Sequence, residues 1–190
     1  MDCKQLFAKA VESAALCVQR ITPDDMDNST PCSEWNLKQL LNHLVYELLW
    51  VPDLLKGKTI AEVGGKYDGD VLHSDPLAAW HHAADAALVA VKRCDESAAV
   101  HLSYGDKSAK DYIVEIGGDV LIHGWDVGRS LHCSTIFDES LAQVVYDAVL
   151  PRREEFAASG LFGAEVEVPA DAPVQVKLLG LTGRHADIEP

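Results

Sequence analysis

The chain has 190 residues, of which 48% are apolar, and its 16 basic and 30 acidic side chains give a formal net charge of −14. A chain of this size can bury a full hydrophobic core, and its composition is typical of a globular protein rather than a disordered one. The acidic balance and the scattered Lys and Arg side chains argue against binding to nucleic acid or to an anionic membrane, because both require clustered positive charge.

The spacing of apolar residues predicts two helices in the first third of the chain. The first covers about residues 4–20. The second begins after Asn36, which forms a capping box with Gln39, so that each side chain satisfies a free backbone N–H of the first turn. Its apolar stripe continues to Leu55, and Gly57 closes it.

Further helices are predicted in the rest of the chain. A third is capped by Ser74 or Asp75 and has Pro76 at its first position, where the missing N–H costs nothing. A turn around residues 103–106 precedes a fourth, which covers about residues 109–132. Later signals are a cap at Asp138, a kink or stop at Pro151, a brief strand-like alternation over 164–168 and a last short helix ending at Gly183. The predicted fold class is all-α, a four-helix bundle with additional C-terminal helices.

The fourth predicted helix carries a polar stripe on an otherwise apolar circumference. At 100° per residue, one narrow face holds Tyr112, Glu115, Asp119, His123, Asp126 and Ser130. Another face is lined by Gly117, Gly124 and Gly128, whose small size lets a neighbouring helix approach closely. Burying unpaired charge is costly, so such a stripe is retained mainly where its side chains pair or bind a metal ion.

Two residues of this stripe are suited to bind one metal ion. Asp119 and His123 are four residues apart, so they project from the same face one turn apart. A third ligand must come from a neighbouring helix, where His43 is the best candidate and His81 is a rival. The spacing also occurs by chance, and His43 could equally be an ordinary half-exposed histidine.

Four other residues have both a functional and a structural interpretation. Glu115 is a fourth ligand or a general base, or else a solvated or salt-bridged carboxylate. Asp126 either accepts the second N–H of His123, as carboxylates beside ligand histidines do, or is an alternative oxygen ligand. Trp125 packs in the core or lines the site against a cofactor. Cys32 is a nucleophile or a structural residue of its loop.

The cysteines and the apolar segments of the sequence indicate the cellular compartment of the protein. The five cysteines form an odd set without a CxxC pair, which argues against a disulfide framework and indicates a reducing compartment. The first residues mix acidic and basic side chains in an amphipathic pattern, unlike a signal peptide. No apolar run approaches the roughly 20 residues of a membrane span. The protein is therefore predicted to be cytoplasmic.

Three segments, in chain order, resemble a known family. Residues 30–35 (TPCSEW), leading into residues 40–44 (LLNHL), resemble the TPCxxW…LxxHL opening of the mycothiol-dependent maleylpyruvate isomerase-like family within the DinB-like superfamily. Residues 119–127 (DVLIHGWDV) resemble its second motif, an acid, three residues, a histidine and a WDL-type ending. Residues 178–184 (LLGLTGR) resemble the LLALxGR close of an actinobacterial branch.

The resemblance implies a single DinB-like metal-binding domain over residues 1–190. The four-helix bundle is expected at about residues 3–133 and a C-terminal extension at about residues 134–190. Bundles of this type often form dimers, so a homodimer is compatible with the resemblance.

The resemblance also implies a metal site formed by His43, Asp119 and His123, with an open position for water or a thiol. Zinc is the usual ion, and the same donors accept nickel, iron or manganese. Mycothiol is the expected thiol cosubstrate, because a metal-bound thiol loses its proton and becomes a nucleophile. The expected activity is transfer of this thiol to, or isomerisation of, a small electrophilic substrate.

Two departures from the family support an alternative. Asp119 stands where the isomerase has a longer glutamate, so it ligates from closer range or through water. This sequence also ends where the isomerase continues into a second domain that contributes a substrate-binding arginine. The alternative is a non-catalytic metal-binding DinB-like protein involved in stress response or ligand binding. A purely structural bundle without metal is a third interpretation.

Overall fold

The computed structural model describes residues 1–133, 135–154 and 163–186. They form two compact units, the larger comprising Asp2–Thr135 and the smaller beginning at Ile136. The assignment of the whole chain to one domain stays a prediction.

The larger unit is a helical bundle with one short hairpin, which confirms the predicted all-α fold class. Its helices are α1 (Cys3–Val18), α2 (Leu37–Leu54), α3 (Ile60–Val63), α4 (Pro76–Arg93) and α5 (Ala109–Ser130), with a 3-10 turn at Pro23–Asp25. Strands β1 (Ala99–Leu102) and β2 (Gly105–Ser108) pair antiparallel just before α5. Among the described helices, none combines the length and the apolar character that crossing a bilayer requires.

Local capping interactions begin the helices where the sequence predicts. The Asn36 side chain accepts from the Gln39 N–H at 3.0 Å, and the Gln39 side chain accepts from the Asn36 N–H at 2.9 Å. At the start of α4, the Asp75 side chain accepts from the Ala78 N–H at 3.0 Å, without a reciprocal side-chain bond. Each such cap contributes about 1 kcal/mol to helix stability. Helix α2 ends at Leu54, earlier than predicted, and Gly57 takes a positive φ in the turn that follows.

The face of α5 that carries the small residues lies against α1, as predicted. A Cβ added at Gly124 would lie only 2.7 Å from the Cβ of Ala14 and 2.9 Å from its Cα. Helix α2 packs on α4 and also on α5. The polar stripe of α5 lies on the side that meets α2, because His43 of α2 contacts Asp119.

The segment before α5 is a hairpin rather than the isolated turn that the sequence predicts. Val100 pairs with Lys107 across its two strands. The Tyr104 hydroxyl and the Lys107 ammonium group both donate to the Glu115 carboxylate. Strands of four residues carry too little pattern to be distinguished from a loop in the sequence.

The smaller unit contains α6 (Glu139–Val149), a 3-10 turn (Leu150–Arg152) and α7 (Val174–Leu181). Asp138 caps α6, and the α-helix ends just before Pro151, both as predicted. Residues 164–168, all of them described, form no strand, although the Val166 N–H donates to the Gly180 carbonyl at 2.9 Å.

Candidate metal centre

A tight turn before α2 brings two side chains towards the histidines. The Thr30 hydroxyl donates to the Trp35 carbonyl at 2.8 Å and accepts from the Cys32 N–H at 3.0 Å. The Trp35 N–H donates back to the Cys32 carbonyl at 2.9 Å. These bonds fix the turn, so that the Trp35 ring lies 4.8 Å from the His43 ring and 6.0 Å from the His123 ring.

The three predicted ligands converge between α2 and α5. Nε2 of His43 lies 3.5 Å from Oδ2 of Asp119, and Nε2 of His123 lies 3.5 Å from Oδ1 of the same carboxylate. One ligand atom from each residue lies within 4.8 Å of the others. The two imidazole rings meet edge to face with centroids 4.9 Å apart.

These separations fit a shared cation better than direct hydrogen bonds. An ordinary N–H···O bond measures about 2.9 Å, shorter than the 3.5 Å found for both histidines. Nitrogen and oxygen donors about 2.1 Å from a tetrahedral ion stand roughly 3.4 Å from one another. Nε2 of His43 is buried and has no hydrogen-bond partner among the described residues. The donor set therefore fits a divalent cation.

The opposite edge of His123 is hydrogen-bonded. Its Nδ1 lies 2.9 Å from Oδ2 of Asp126, a side chain with no exposed surface. Because an ionised carboxylate only accepts, this contact favours the tautomer with the proton on Nδ1, in which Nε2 is the nitrogen able to bind a metal ion. Asp126 thus lies where the sequence predicts support for a ligand histidine.

Cys32 also contacts Asp126 and His123, on the side of the imidazole away from Asp119. Its Sγ donates to Oδ2 of Asp126 at 3.4 Å and lies 3.8 Å from Nδ1 of His123. Cys32, His123 and Asp126 are also close enough to hold a metal ion. Cys32 and His123 are, however, already hydrogen-bonded to Asp126, and a metal ion bound by these three residues would have to replace both bonds.

Two further polar residues lie beside the site: Glu47, which was missed in the sequence, and Tyr112, which belongs to the predicted polar stripe. Glu47 follows His43 by one helical turn, and this spacing of four was the available signal. Burial raises the pKa of Glu47 to about 7, and the charge of Asp119 adds to the shift. Tyr112 is buried, its hydroxyl has no hydrogen-bond partner among the described residues, and burial and then Glu47 raise its pKa.

Charge also acts on His43. Burial lowers the pKa of this imidazole, but the carboxylates of Asp119 and Glu47 outweigh that effect and leave its pKa raised. The two carboxylates thus make this corner attractive to positive charge, whether a proton or a metal ion.

Three other residues considered in the sequence lie apart from the centre. Glu115 is bound by the hairpin side chains, which matches its salt-bridged interpretation. Trp125 lies about 200° around the helix from His123, and its ring packs beneath the Arg129 guanidinium at 5.5 Å. His81 is exposed on α4 and joins neither cluster.

A cavity of about 610 Å³ opens beside the centre. It is lined by Trp35, Asn36, Lys38, Gln39, Asn42, His43, Tyr46, Gly69 and Asp70. His43 belongs both to this lining and to the converging donors, so the cavity gives a small molecule a route to that edge of the centre.

Known proteins share both sequence and fold with this chain. The family model of the mycothiol maleylpyruvate isomerase N-terminal domain matches residues 7–128. The uncharacterized proteins Rv0738 and MT0763 of Mycobacterium tuberculosis are each 29% identical over 145 residues, covering 75% of this chain and 74% of the relative. Two crystal structures of the mycothiol-dependent maleylpyruvate isomerase, one of them a histidine-to-alanine mutant, align with TM-scores of 0.66 and 0.62 at 13% identity, covering 86% of this chain and 73% of theirs. The structural likeness shows the shared fold, the predicted DinB-like bundle with further C-terminal helices.

Proposed function

The chain belongs to the mycothiol maleylpyruvate isomerase N-terminal domain family, and from that premise we propose that it is a divalent-metal-dependent enzyme acting with mycothiol. It activates this thiol for transfer to, or isomerisation of, a small electrophilic substrate. The observation that carries the proposal is the convergence of His43, Asp119 and His123, with donor separations suited to one cation.

The proposed ligands are two neutral imidazoles and one carboxylate. Three protein donors leave a coordination position open, which is the arrangement of catalytic rather than structural zinc sites. A cation bound there would lower the pKa of a coordinated thiol so that the thiol is ionised at neutral pH. Zinc is the first choice, although nickel, iron and manganese accept the same donors.

The other residues of the site orient and shield these ligands. Asp126 holds the proton of His123 on Nδ1 and leaves Nε2 free to ligate. The Trp35 ring lies beside the two imidazoles, at 4.8 Å from that of His43 and 6.0 Å from that of His123. The thiol would approach from the cavity beside His43, whose lining offers it amide and charged side chains next to apolar surface.

Cobalt substitution tests this proposal. Cobalt(II) takes zinc sites and gives an intense near-ultraviolet charge-transfer band when a thiolate binds. We expect mycothiol to produce this band in the wild type and not in His43→Ala, while the exposed-residue control His82→Ala behaves as the wild type. Absence of the band from all three proteins would contradict the proposed thiol activation.

Turnover assays then separate an enzyme from a binding protein. We expect the zinc-loaded protein to consume mycothiol with model electrophiles, or to isomerise maleylpyruvate, only when the thiol is present. A thiol-dependent band without turnover of any electrophile would instead favour the non-catalytic metal-binding alternative.

A further inference from the structure

We propose that Cys32 is a positioning residue that acts on His123 through Asp126. Its thiol donates to Oδ2 of Asp126, the same oxygen that accepts a hydrogen bond from the His123 ring. The thiol thereby fixes the carboxylate, and the carboxylate selects the tautomer of the ring. The proposal rests on the proposed function only in treating His123 as a metal ligand, because the hydrogen-bond chain itself needs no metal.

This row of hydrogen bonds joins the loop before α2 to α5 at one oxygen atom of Asp126. Oδ2 of Asp126 accepts from Nδ1 of His123 at 2.9 Å and from Sγ of Cys32 at 3.4 Å. Cys32 comes from the loop before α2 and lies 94 positions from Asp126 in the sequence. A carboxylate held by donors on two separate elements cannot rotate without breaking one of them.

The consequence reaches the other edge of the imidazole. With Nδ1 donating to Asp126, Nε2 keeps its lone pair and faces Asp119 at 3.5 Å. The opposite tautomer would place a proton on Nε2 and prevent ligation there. Mutating the hydrogen-bond partner of a ligand histidine commonly lowers metal affinity by 10- to 100-fold.

The geometry argues against the other roles open to Cys32. A nucleophilic thiol is usually activated by an imidazole, and the nearest imidazole nitrogen, Nδ1 of His123, is already hydrogen-bonded to the fully buried Asp126. A second metal ion at Cys32, His123 and Asp126 would have to break both hydrogen bonds around the fully buried Asp126. The thiol is therefore used as a hydrogen-bond donor.

The turn that carries Cys32 is built to hold this donor in place. Thr30 accepts from the Cys32 N–H and donates to the Trp35 carbonyl, so its hydroxyl fixes the backbone on both sides of the thiol. The three residues of the loop thus have separate roles. Thr30 fixes the turn, Cys32 holds Asp126, and Trp35 lies beside the imidazoles.

Two substitutions separate hydrogen bonding from packing. Cys32→Ser keeps a donor, whereas Cys32→Val keeps a similar volume and removes it; Cys94→Ser is a remote control. We expect Cys32→Ser to keep zinc affinity within a few-fold of the wild type and Cys32→Val to lose about tenfold, the low end of the range for direct partners of a ligand, because Cys32 acts through Asp126. Chelator competition measures the affinities, and Cys32→Ala replaces the valine variant if that variant does not fold.

A readout on the metal-free proteins keeps this test independent of the proposed function. ¹⁵N NMR shifts of the His123 ring report its tautomer, which we expect to be Nδ1–H in the wild type and Cys32→Ser, and mixed in Cys32→Val. An unchanged tautomer in Cys32→Val, or equal losses in both variants, would overturn the positioning role. If the wild type binds no zinc, the proposed function fails while the NMR comparison still decides the role of Cys32.

Discussion

Among single residues, Asp126 acts most directly on His123, because its buried carboxylate accepts the Nδ1 proton at 2.9 Å. An amide there can present an N–H to Nδ1 and favour the tautomer that blocks Nε2. We therefore expect Asp126→Asn to weaken zinc binding by about 10- to 100-fold while the helix content is kept. Chelator competition checks this beside the exposed control Asp85→Asn. Equal zinc affinity in both variants would show that Asp126 does not support the ligand.

Glu47 makes the stability of the metal-free protein depend on pH. Its pKa of about 7 in the folded protein exceeds the value of about 4.3 for an unfolded glutamate. The folded state thus binds the proton more tightly, so the free energy of unfolding falls as pH rises from about 4 to 7 and then levels off.

Replacing Glu47 by glutamine should remove this dependence. We expect Glu47→Gln to be more stable than the wild type by roughly 2–3 kcal/mol at about pH 8, with the difference vanishing near pH 4. Urea unfolding of chelator-treated protein at both pH values measures it, with the exposed Glu12→Gln as the control. A difference that does not change with pH would contradict the raised pKa of Glu47.

At the scale of residues, spacing along a helix predicted which side chains share one face of that helix, but not which residues of other elements they contact. Asp119 and His123 lie one turn apart, and that local geometry brings them to one face. Glu47 stands in the same relation to His43, so its signal was present in the sequence. The contact of Cys32 with Asp126 spans 94 positions, and only the folded bundle brings a loop and a helix together in this way.

At the scale of elements, the packing of α1 on α5 depends on small residues. A Cβ at Gly124 would meet the backbone of Ala14 at 2.9 Å, whereas one at Gly117 would meet the flexible end of Leu6 at 2.5 Å and backbone only at 3.5 Å. Overpacking costs about 1–3 kcal/mol, more than the roughly 1 kcal/mol that alanine's helix propensity returns. We expect Gly124→Ala to be less stable than the wild type and than Gly117→Ala. Thermal unfolding compares the three; an equally stable Gly124→Ala would mean that the helices can move apart at no cost.

The end of α2 is tied to the following segment by Asp53. This buried carboxylate accepts from Lys58 at 2.8 Å, from Lys66 at 2.7 Å and from the Tyr67 hydroxyl at 2.9 Å. Hydrogen bonds from Lys58 and then Lys66 hold its pKa well below the ordinary range. Its stabilising contribution is therefore present above about pH 4, near the unfolded aspartate pKa, and is lost as the pH falls towards the folded pKa.

We expect Asp53→Asn to lower the free energy of unfolding by about 1–2 kcal/mol at pH 7, a modest figure because both lysines are partly exposed. The difference from the wild type should shrink as the pH falls below about 4. Urea unfolding across this range checks it, with the exposed Asp24→Asn as the control. A loss that stays constant down to low pH would point to packing rather than charge.

The elements that the sequence predicted well are those that begin with local chemistry. The capping box of Asn36 and Gln39 spans three residues, so it can be recognised without knowing the fold. The hairpin of β1 and β2 could not be recognised, because its stability depends on cross-strand pairs and on the tie from Tyr104 and Lys107 to Glu115. Tertiary contacts of that kind leave no periodic signal.

At the scale of the whole molecule, the net charge of −14 attracts divalent cations to any part of the surface. Total metal content alone therefore does not identify a site. The proposed centre differs from an acidic surface because it contains two imidazoles, one of them held by a buried carboxylate. Loss of the bound metal when one imidazole is removed therefore distinguishes the proposed centre from non-specific binding to the acidic surface.

Elemental analysis of protein purified without a metal-affinity tag tests the metal centre most directly, with wild type, His43→Ala and the exposed control His82→Ala side by side. We expect about one equivalent of metal in the wild type and in His82→Ala, and its loss in His43→Ala, as for a site with three protein ligands. No metal in any of the three proteins after incubation with zinc, or equal metal in all of them, would contradict the assignment of His43, Asp119 and His123 as its ligands.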